Sequence, residues 1–486
     1  MRFALNAVLL VLLMCAQQSC IRRPSHLAID RCIKMETDLF CLDARNVELG
    51  PEPLTLDRMI EIALCRNLDL LVKAQEIKVQ KEATFHQSLN TLPSLVASYD
   101  NWGRDKNTAS FSESLEPGIP PAPLSISSET HIELANLEFT WNILDFGVAY
   151  YRTRQELNST LMEEMQYSRI RQNLILEITK QYWKAALAKM VIDVSEELYS
   201  QSEKLRGRLQ EMIDQGELSS YLGYQIIQDL LENEVILSGY PKEYQTAKSE
   251  LLKLMGVLPD QDFEIAVESF EEGIFFPTNL EQLEKMALAN RPELYSVDFE
   301  ENKMRDEVYI AFLRMFPNVE FFEGTFTDQN RFLLFNSWKR AGLRATWDLL
   351  NLPARSAARS VAQRKVEQVR TSRLSLSFAV LAQVNLAYHM IYDLQKQYEI
   401  AEQWHEANQK LVHTSKRLYE HGEINQAELI DDEFQAILAR IAWFKSGAEL
   451  RVAMEQLSNA IGLPGYIQHL GSFQEIDEFD EIEMIR

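Results

Sequence analysis

The chain repeats itself. Residues 56–71, "LDRMIEIALCRNLDLL", align with residues 280–295, "LEQLEKMALANRPELY", at an offset of 224 that also sets Pro93 on Pro317. Farther along the offset is 206, and Trp141 falls on Trp347, Tyr182 on Tyr388, Gly216 on Gly422 and Gly256 on Gly462. One offset that holds without gaps over more than a hundred residues marks a duplication. The second half is 18 residues shorter between its strand candidates, where the first half carries "SFSESLEPGIPPAPLSISS". Length variation of that kind is what an exposed loop tolerates.

Both halves read in the same order. A first helix runs from Leu56 to Leu92 and ends at Pro93, its counterpart ending at Pro317. Strands follow, "SLVASYDNWG" or "NVEFFEGTF", then after a loop "IELANLEFTWNIL" or "SWKRAGLRATWDLL". Long helices come next, about 146–213 and 355–419, then tight turns "QGELSS" and "HGEINQ". Return helices stop at Gly256 and Gly462. Val380, Val384, Tyr388, Ile391, Leu394, Tyr398 and Ala401 recur at three- and four-residue steps. So do Leu198, Leu205, Leu209 and Met212. This narrow stripe suits a coiled-coil seam, and an ordinary long helical bundle is the other reading. Gly 17 and Pro 15 are low counts for 486 residues, which favours long helices. Pro241 should interrupt the first return helix, and its equivalent Gly447 suggests a shared bend. A helix over 146–213 is about 100 Å long, which two stacked shorter helices would match.

The strands alternate. Ala135, Leu137, Phe139, Trp141 and Ile143 face away from Leu134, Asn136, Glu138, Thr140 and Asn142. Ala341, Leu343, Ala345, Trp347 and Leu349 likewise oppose Arg340, Gly342, Arg344, Thr346 and Asp348. Such a sheet is apolar on one face, covered either by helices or by lipid. The helices are committed to a pillar, which favours lipid. A lipid-facing sheet must close, and four strands per chain cannot, so copies of the chain would have to share a barrel. Glu323 falls on the apolar face and is the exception.

Composition excludes several classes. Hydrophobic content of 46% and charged content of 25% are globular values. A net charge of −23 excludes a nucleic-acid surface. "MRFALNAVLLVLLMCAQQSC" has the layout of a secretory signal peptide, and no later run approaches 18 apolar residues. Cys20 is a candidate lipid-attachment site, although Gln17-Gln18-Ser19 lacks the usual upstream apolar residue. Cys32 and Cys41 are a candidate disulfide in an oxidising compartment. No HExxH, GxGxxG, P-loop or GxSxG is present, and no cofactor, metal or catalytic residue is expected.

With these residues in place, the chain resembles the outer membrane efflux proteins of TolC type from about Leu54 to Pro464. The resemblance rests on the paired "LTLDRMIEIALCRNLDL" and "LEQLEKMALANRPEL" openings and on "TWNILDFG". It rests also on "KRLYEHGEINQAELIDDEFQAIL" and "AIGLP". It implies a mainly α, internally duplicated fold with a small β part: long hairpins forming a periplasmic α-barrel, and four strands per chain in a shared trimeric outer-membrane β-barrel. It implies a homotrimer in outer membrane lipid, joined through a periplasmic adaptor (membrane fusion) protein to an inner-membrane transporter. The function implied is the passive exit duct of a tripartite efflux or type I secretion system. A pore-less periplasmic coiled-coil scaffold or a lipid-anchored structural protein is the alternative.

The residues carried over are the hairpin tips, Gly216, Glu217, Leu218 and Ser219 with Gly422, Glu423, Ile424 and Asn425, as the adaptor contact. Each glycine also suits a left-handed turn. An acidic residue six positions past the turn glycine fits Glu428 but not Leu222. The expected lipid-facing row is Leu137, Phe139, Trp141 and Ile143 with Leu343, Ala345, Trp347 and Leu349. The expected organisation is a signal peptide (1–19), an N-terminal extension (20–53), a first repeat (54–256) and an equatorial linker (257–279). A second repeat (280–464) and an acidic tail (465–486) complete it.

Overall fold

A computed structural model describes residues 28–45, 49–110, 116, 118, 120, 123–267 and 279–464. The expected signal peptide, Cys20, residues 268–278 of the linker and the acidic tail lie outside them. Helix α1 (Ala28–Arg45) carries both Cys32 and Cys41. Nine residues of helix separate their Cα atoms by about 13.5 Å along the axis, against a disulfide limit of about 7 Å. The expected pairing is therefore not made, and Cys41 is a free thiol.

Each repeat opens on two helices where the sequence suggested one. Thr55 caps α2 (Leu56–Arg66) by accepting the Arg58 N–H. Asn67 then leaves helical geometry, at φ −53° and ψ 126°, and its Oδ1 accepts the Leu70 N–H to start α3 (Leu68–Leu89). The continuous helix expected to Leu92 is thus broken by an asparagine that caps the next helix. The second repeat does the same with α7 (Leu280–Asn290), Arg291 and α8 (Pro292–Leu313). Here Pro292 occupies the first turn, where its missing N–H costs nothing.

Strand β1 (Ser94–Gly103) follows α3; a two-residue pair, β2 (Ala109–Ser110) with β3 (Ser125–Ile126), leads to β4 (His131–Asn142). Asn142 accepts the N–H groups of Leu144 and Asp145, so the strand stops there and α4 (Ile143–Asp214) begins. The chain returns through α5 (Ser220–Ser238) and α6 (Tyr240–Met255). In the second repeat β5 (Asn318–Asp328) and β6 (Ser337–Thr346) precede α9 (Leu352–Glu420) and α10 (Gln426–Ile461). The 72 residues of α4 span about 108 Å. Pro241 sits in the first turn of α6, so the first return path is interrupted at Gly239. Its counterpart runs unbroken through buried Gly447, and the break is not shared.

The sheet is antiparallel, in the order β1-β4-β5-β6, so the two repeats join at the β4–β5 pair. The helices form one layer: α9 packs on α8 and α10, these pack on α4, and α4 packs on α3 and α6. Helix α9 contains an 18-residue window of mean hydropathy 1.4 that is only 17% buried. By length and composition it could cross a bilayer, but its packing along α8 and α10 commits it to the layer. Val380, Val384 and Ile391 pack into the core on one side, while Leu374, Phe378 and Leu386 stay exposed on the other.

The duplication is exact at one joint. Gly256 and Gly462, at φ 67° and 82°, end α6 and α10 in left-handed geometry. A Cβ on Gly256 would lie 2.6 Å from the Arg66 carbonyl oxygen, and one on Gly462 2.8 Å from that of Asn290. Beside them Asn67 donates to the Leu254 carbonyl at 2.9 Å and Arg291 to the Ala460 carbonyl at 3.2 Å. All of these positions correspond by the two sequence offsets. The break between the opening helices therefore exists to seat the C-terminus of the return helix.

Asp306 on α8 is 1% exposed and faces Arg154 of α4 at 3.5 Å. Burial pushes its carboxyl above the usual range, and Arg154 offsets this in part. A raised folded value means the folded chain holds this proton more tightly than the unfolded chain. Stability from this group therefore falls as pH rises from about 4 through the folded value. Asp306→Asn is expected to raise the unfolding midpoint at pH 7, by about 1 kcal/mol of stability, with the gain fading toward pH 4. Thermal unfolding at the two pH values checks this; a loss at pH 7 would contradict it.

Candidate pore wall and helical tips

The register sorts the sheet into two faces. Leu95 pairs with Phe139, Ala97 with Leu137, Tyr99 with Ala135, Trp141 with Phe321 and Phe321 with Leu343, so these side chains share one face. Val319 and Ala345 extend it, and Glu323 lies on it between Phe139 and Ala341. Leu95, Tyr99, Leu137, Trp141 and Leu343 are all exposed. The apolar band does not follow the register. It centres on Leu137 and Phe139 in β4 but on Leu343 and Ala345 in β6, nearer the helices.

Two corrections to the expected row follow. Ile143 is the first residue of α4, and Trp347 and Leu349 lie past the end of β6, in the turn before α9. All three remain exposed. Trp141 packs edge-on against Phe146, and the Trp347 indole donates to the Met315 carbonyl at 3.2 Å. These rings, with exposed Leu349 and Leu350, form an aromatic and apolar collar at the joint between sheet and helices. Leu137, Phe139, Trp141, Leu343 and Ala345 sit within strands on the apolar face.

The opposite face is polar and carries one organised file of side chains that sequence reading did not single out. Trp338 stacks on Phe326 with centroids 6.3 Å apart. Arg340 lies over both Phe326 and Phe322, at 4.4 and 5.3 Å, and Arg344 lies over Phe322 at 5.4 Å. Each ring lies over a glycine: Phe322 over Gly342, its cross-strand neighbour, and Phe326 over Gly324, two residues back on its own strand. A Cβ on Gly342 would be 2.7 Å from Phe322, and one on Gly324 would be 2.9 Å from Phe326. Gly324 also leaves a gap through which Arg340 reaches Glu138, two strands away, at 3.4 Å. Arg344 pairs with Glu320 directly opposite, also at 3.4 Å.

At the other end of the long helices lie the tips. Gly216 and Gly422 take φ 72° and 74°, and nothing lies within 4 Å of a Cβ at either. Ser219 makes no side-chain cap. Asn425 and Glu428 form a capping box, each side chain accepting the other's backbone N–H, at 2.9 and 3.1 Å. Glu428 thus has a local role that Leu222 cannot copy. Glu217, Leu218, Glu423 and Ile424 form the turns themselves. Just behind them, partial burial and then Asp432 and Asp229 push the Asp431 carboxyl upward. Ser415 donates to Asp432 at 2.5 Å. These carboxylates come from both repeats, which is why no sequence spacing betrayed them.

Residues 283–463 match the model of the outer membrane efflux protein family. No curated protein matches the chain. The crystal structure of the Campylobacter jejuni CmeC outer membrane channel has the same fold, with a TM-score of 0.65 at 12% identity, over 87% of this chain and 87% of that one. The open state of the Neisseria gonorrhoeae MtrE outer membrane channel gives 0.64 at 16% identity, over 84% and 89%. The outer membrane protein VceC of Vibrio cholerae gives 0.63 at 15% identity, over 84% and 96%. The TolC-type fold expected from the sequence is the fold observed.

Proposed function

We propose that this chain, whose residues 283–463 match the outer membrane efflux protein family and whose fold is that of outer membrane channels, works as the exit duct of a tripartite export system. Three copies close a twelve-stranded barrel in the outer membrane and continue as a helical barrel in the periplasm. The observation that carries the reading is the pair of open sheet edges. Among the described residues β1 and β6 pair on one side only. Open edges beside an apolar exposed face cannot persist in lipid, and pairing β6 with the β1 of the next copy removes them.

The helices support the same closure. Within the chain α8 packs on α4: Gln155 donates to the Lys303 carbonyl at 3.0 Å, and Tyr151 stacks on Tyr309 at 5.1 Å. The sequence offsets carry Lys303 and Tyr309 onto Val79 and Phe85 of α3, and Gln155 and Tyr151 onto Val361 and Ala357 of α9. Val79, Phe85 and Val361 are 70%, 61% and 56% exposed. Lower down, Tyr224, Leu231 and Val235 of α5 are exposed where their counterparts Ile430, Ile437 and Ile441 pack into the core. Each exposed apolar position is the unpartnered copy of a contact already made once inside the chain. A neighbouring copy placed by the same relation would cover them.

In this reading the tips, with Gly216 and Gly422 at their turns, meet a periplasmic adaptor, which in turn meets an inner-membrane transporter. The duct is passive and the transporter selects the cargo. Purified protein is expected to require detergent and to give stable, trimer-dependent conductance in planar lipid bilayers. Monomeric protein that stays soluble without detergent and conducts nothing would favour the pore-less scaffold instead.

A further inference from the structure

We infer that the file of Trp338, Phe326, Arg340, Phe322 and Arg344 is a contact site in the duct wall for aromatic anions, repeated once per copy around the barrel. The inference rests on the barrel reading, which turns the polar face of the sheet inward.

Three features of the file point to a ligand of that chemistry. First, each guanidinium lies over a ring, which holds it flat and leaves its edge donors free. Second, each arginine has one carboxylate partner, Glu138 or Glu320, at 3.4 Å, near the long limit of a hydrogen bond. A guanidinium has five N–H donors, so most remain available to a carboxylate, sulfonate or phosphate. Third, the file ends on Trp338, which is 44% exposed, so an anion held by Arg340 finds aromatic surface one step along the strand. Glycines at 324 and 342 seat the two phenylalanine rings that carry the guanidinia.

The arrangement is also unexpected by charge. The chain as a whole carries −23, yet on β6 the inward positions between Trp338 and Thr346 hold two arginines and a glycine, with no acid. Cross-strand carboxylates neutralise them without covering them, since both arginine side chains stay about half exposed. A wall that only needed stiffness could place aliphatic residues there. The file instead offers a weakly held positive edge beside aromatic surface, which suits cargo that is both flat and negative.

Naphthalene-2-sulfonate added to wild-type channels in planar bilayers is expected to lower conductance at millimolar concentration, with methanesulfonate having about tenfold less effect. Arg340→Gln with Arg344→Gln should weaken the naphthalene-2-sulfonate block about tenfold, while outward-facing Lys339→Gln leaves it unchanged. Arg340→Lys, which keeps the charge but loses the flat fork, should fall between. Conductance that responds equally to both sulfonates, or a block that survives loss of both arginines, would overturn the inference. The wild-type comparison of the two sulfonates stands even where a variant fails to assemble. No conductance at all would overturn the duct reading and this site with it; conductance indifferent to the probe would overturn this site alone.

Discussion

Gly462→Ala is expected to destabilise the protein by about 2–4 kcal/mol, whereas Gly422→Ala should cost only about 1–2 kcal/mol. Both glycines have left-handed backbones, at φ 82° and 74°, so the conformational cost of adding a Cβ is common to the two. They differ in their surroundings. At Gly422 the added carbon meets nothing within 4 Å, while at Gly462 it would lie 2.8 Å from the Asn290 oxygen and 2.9 Å from its carbonyl carbon. Those atoms are backbone at the α7–α8 joint and cannot swing aside as a flexible side chain can. Accommodating the methyl therefore moves the joint, which also carries Arg291. Unfolding midpoints of the two variants in detergent measure the difference. Equal losses would mean that the seat of the return helix is not the constraint described here.

Arg291→Met should be the most damaging single change outside the glycines, costing about 2–4 kcal/mol. Arg291 is 3% exposed, and burial pushes its guanidinium below its ordinary value, with Arg169 adding to this and Glu293 opposing it. Its Nη1 donates to the Ala460 carbonyl at 3.2 Å and its Nη2 to Gln383 at 2.8 Å, while Nε lies 3.3 Å from Glu293. Methionine fills much of the space but leaves the end of α10 and Gln383 without their donor. Glu293 is not orphaned, because Arg169 holds it at 2.7 Å, and this keeps the cost below that of stranding a buried charge. Arg291→Lys should recover only part of the loss, since an ammonium cannot span these acceptors in one plane. An exposed control, Arg58→Met, should change stability little. If Arg291→Met unfolded at the wild-type midpoint, the joint would not depend on this side chain.

The duplication made most of the architecture legible, because a pattern seen twice separates signal from accident. The break at Asn67 was harder to see, since asparagine is a mild interruption in a helical run. Pro292, one residue past the counterpart Arg291, was the stronger sign, and reading the two copies against each other could have placed both breaks. The strand ends were misjudged for a local reason: Asn142 caps α4, so Ile143 continues the apolar alternation but not the strand. Trp347 and Leu349 keep the apolar alternation past the end of β6, as Ile143 does past the end of β4. The Arg340–Glu138 pair was out of reach, because it exists only when β4 of one repeat meets β5 of the other. The carboxylates behind the tips were hidden in the same way, since Asp229 and Asp431 come from different repeats. What sequence spacing conveys is order within an element; these features depend on contacts between elements.

In the proposed trimer, the exposed faces of each copy meet as second versions of contacts that the chain already makes internally. Val79→Cys with Val361→Cys tests it most directly, in a background where Cys32, Cys41 and Cys65 are serine. Within one chain α3 and α9 lie at opposite ends of the helical layer, so a disulfide between these positions must join two copies. Mild oxidation in membranes should give a ladder of dimer and trimer that stops at three, and neither single cysteine should give it. A double variant that stays monomeric, or a ladder that runs past the trimer, would contradict the closed ring.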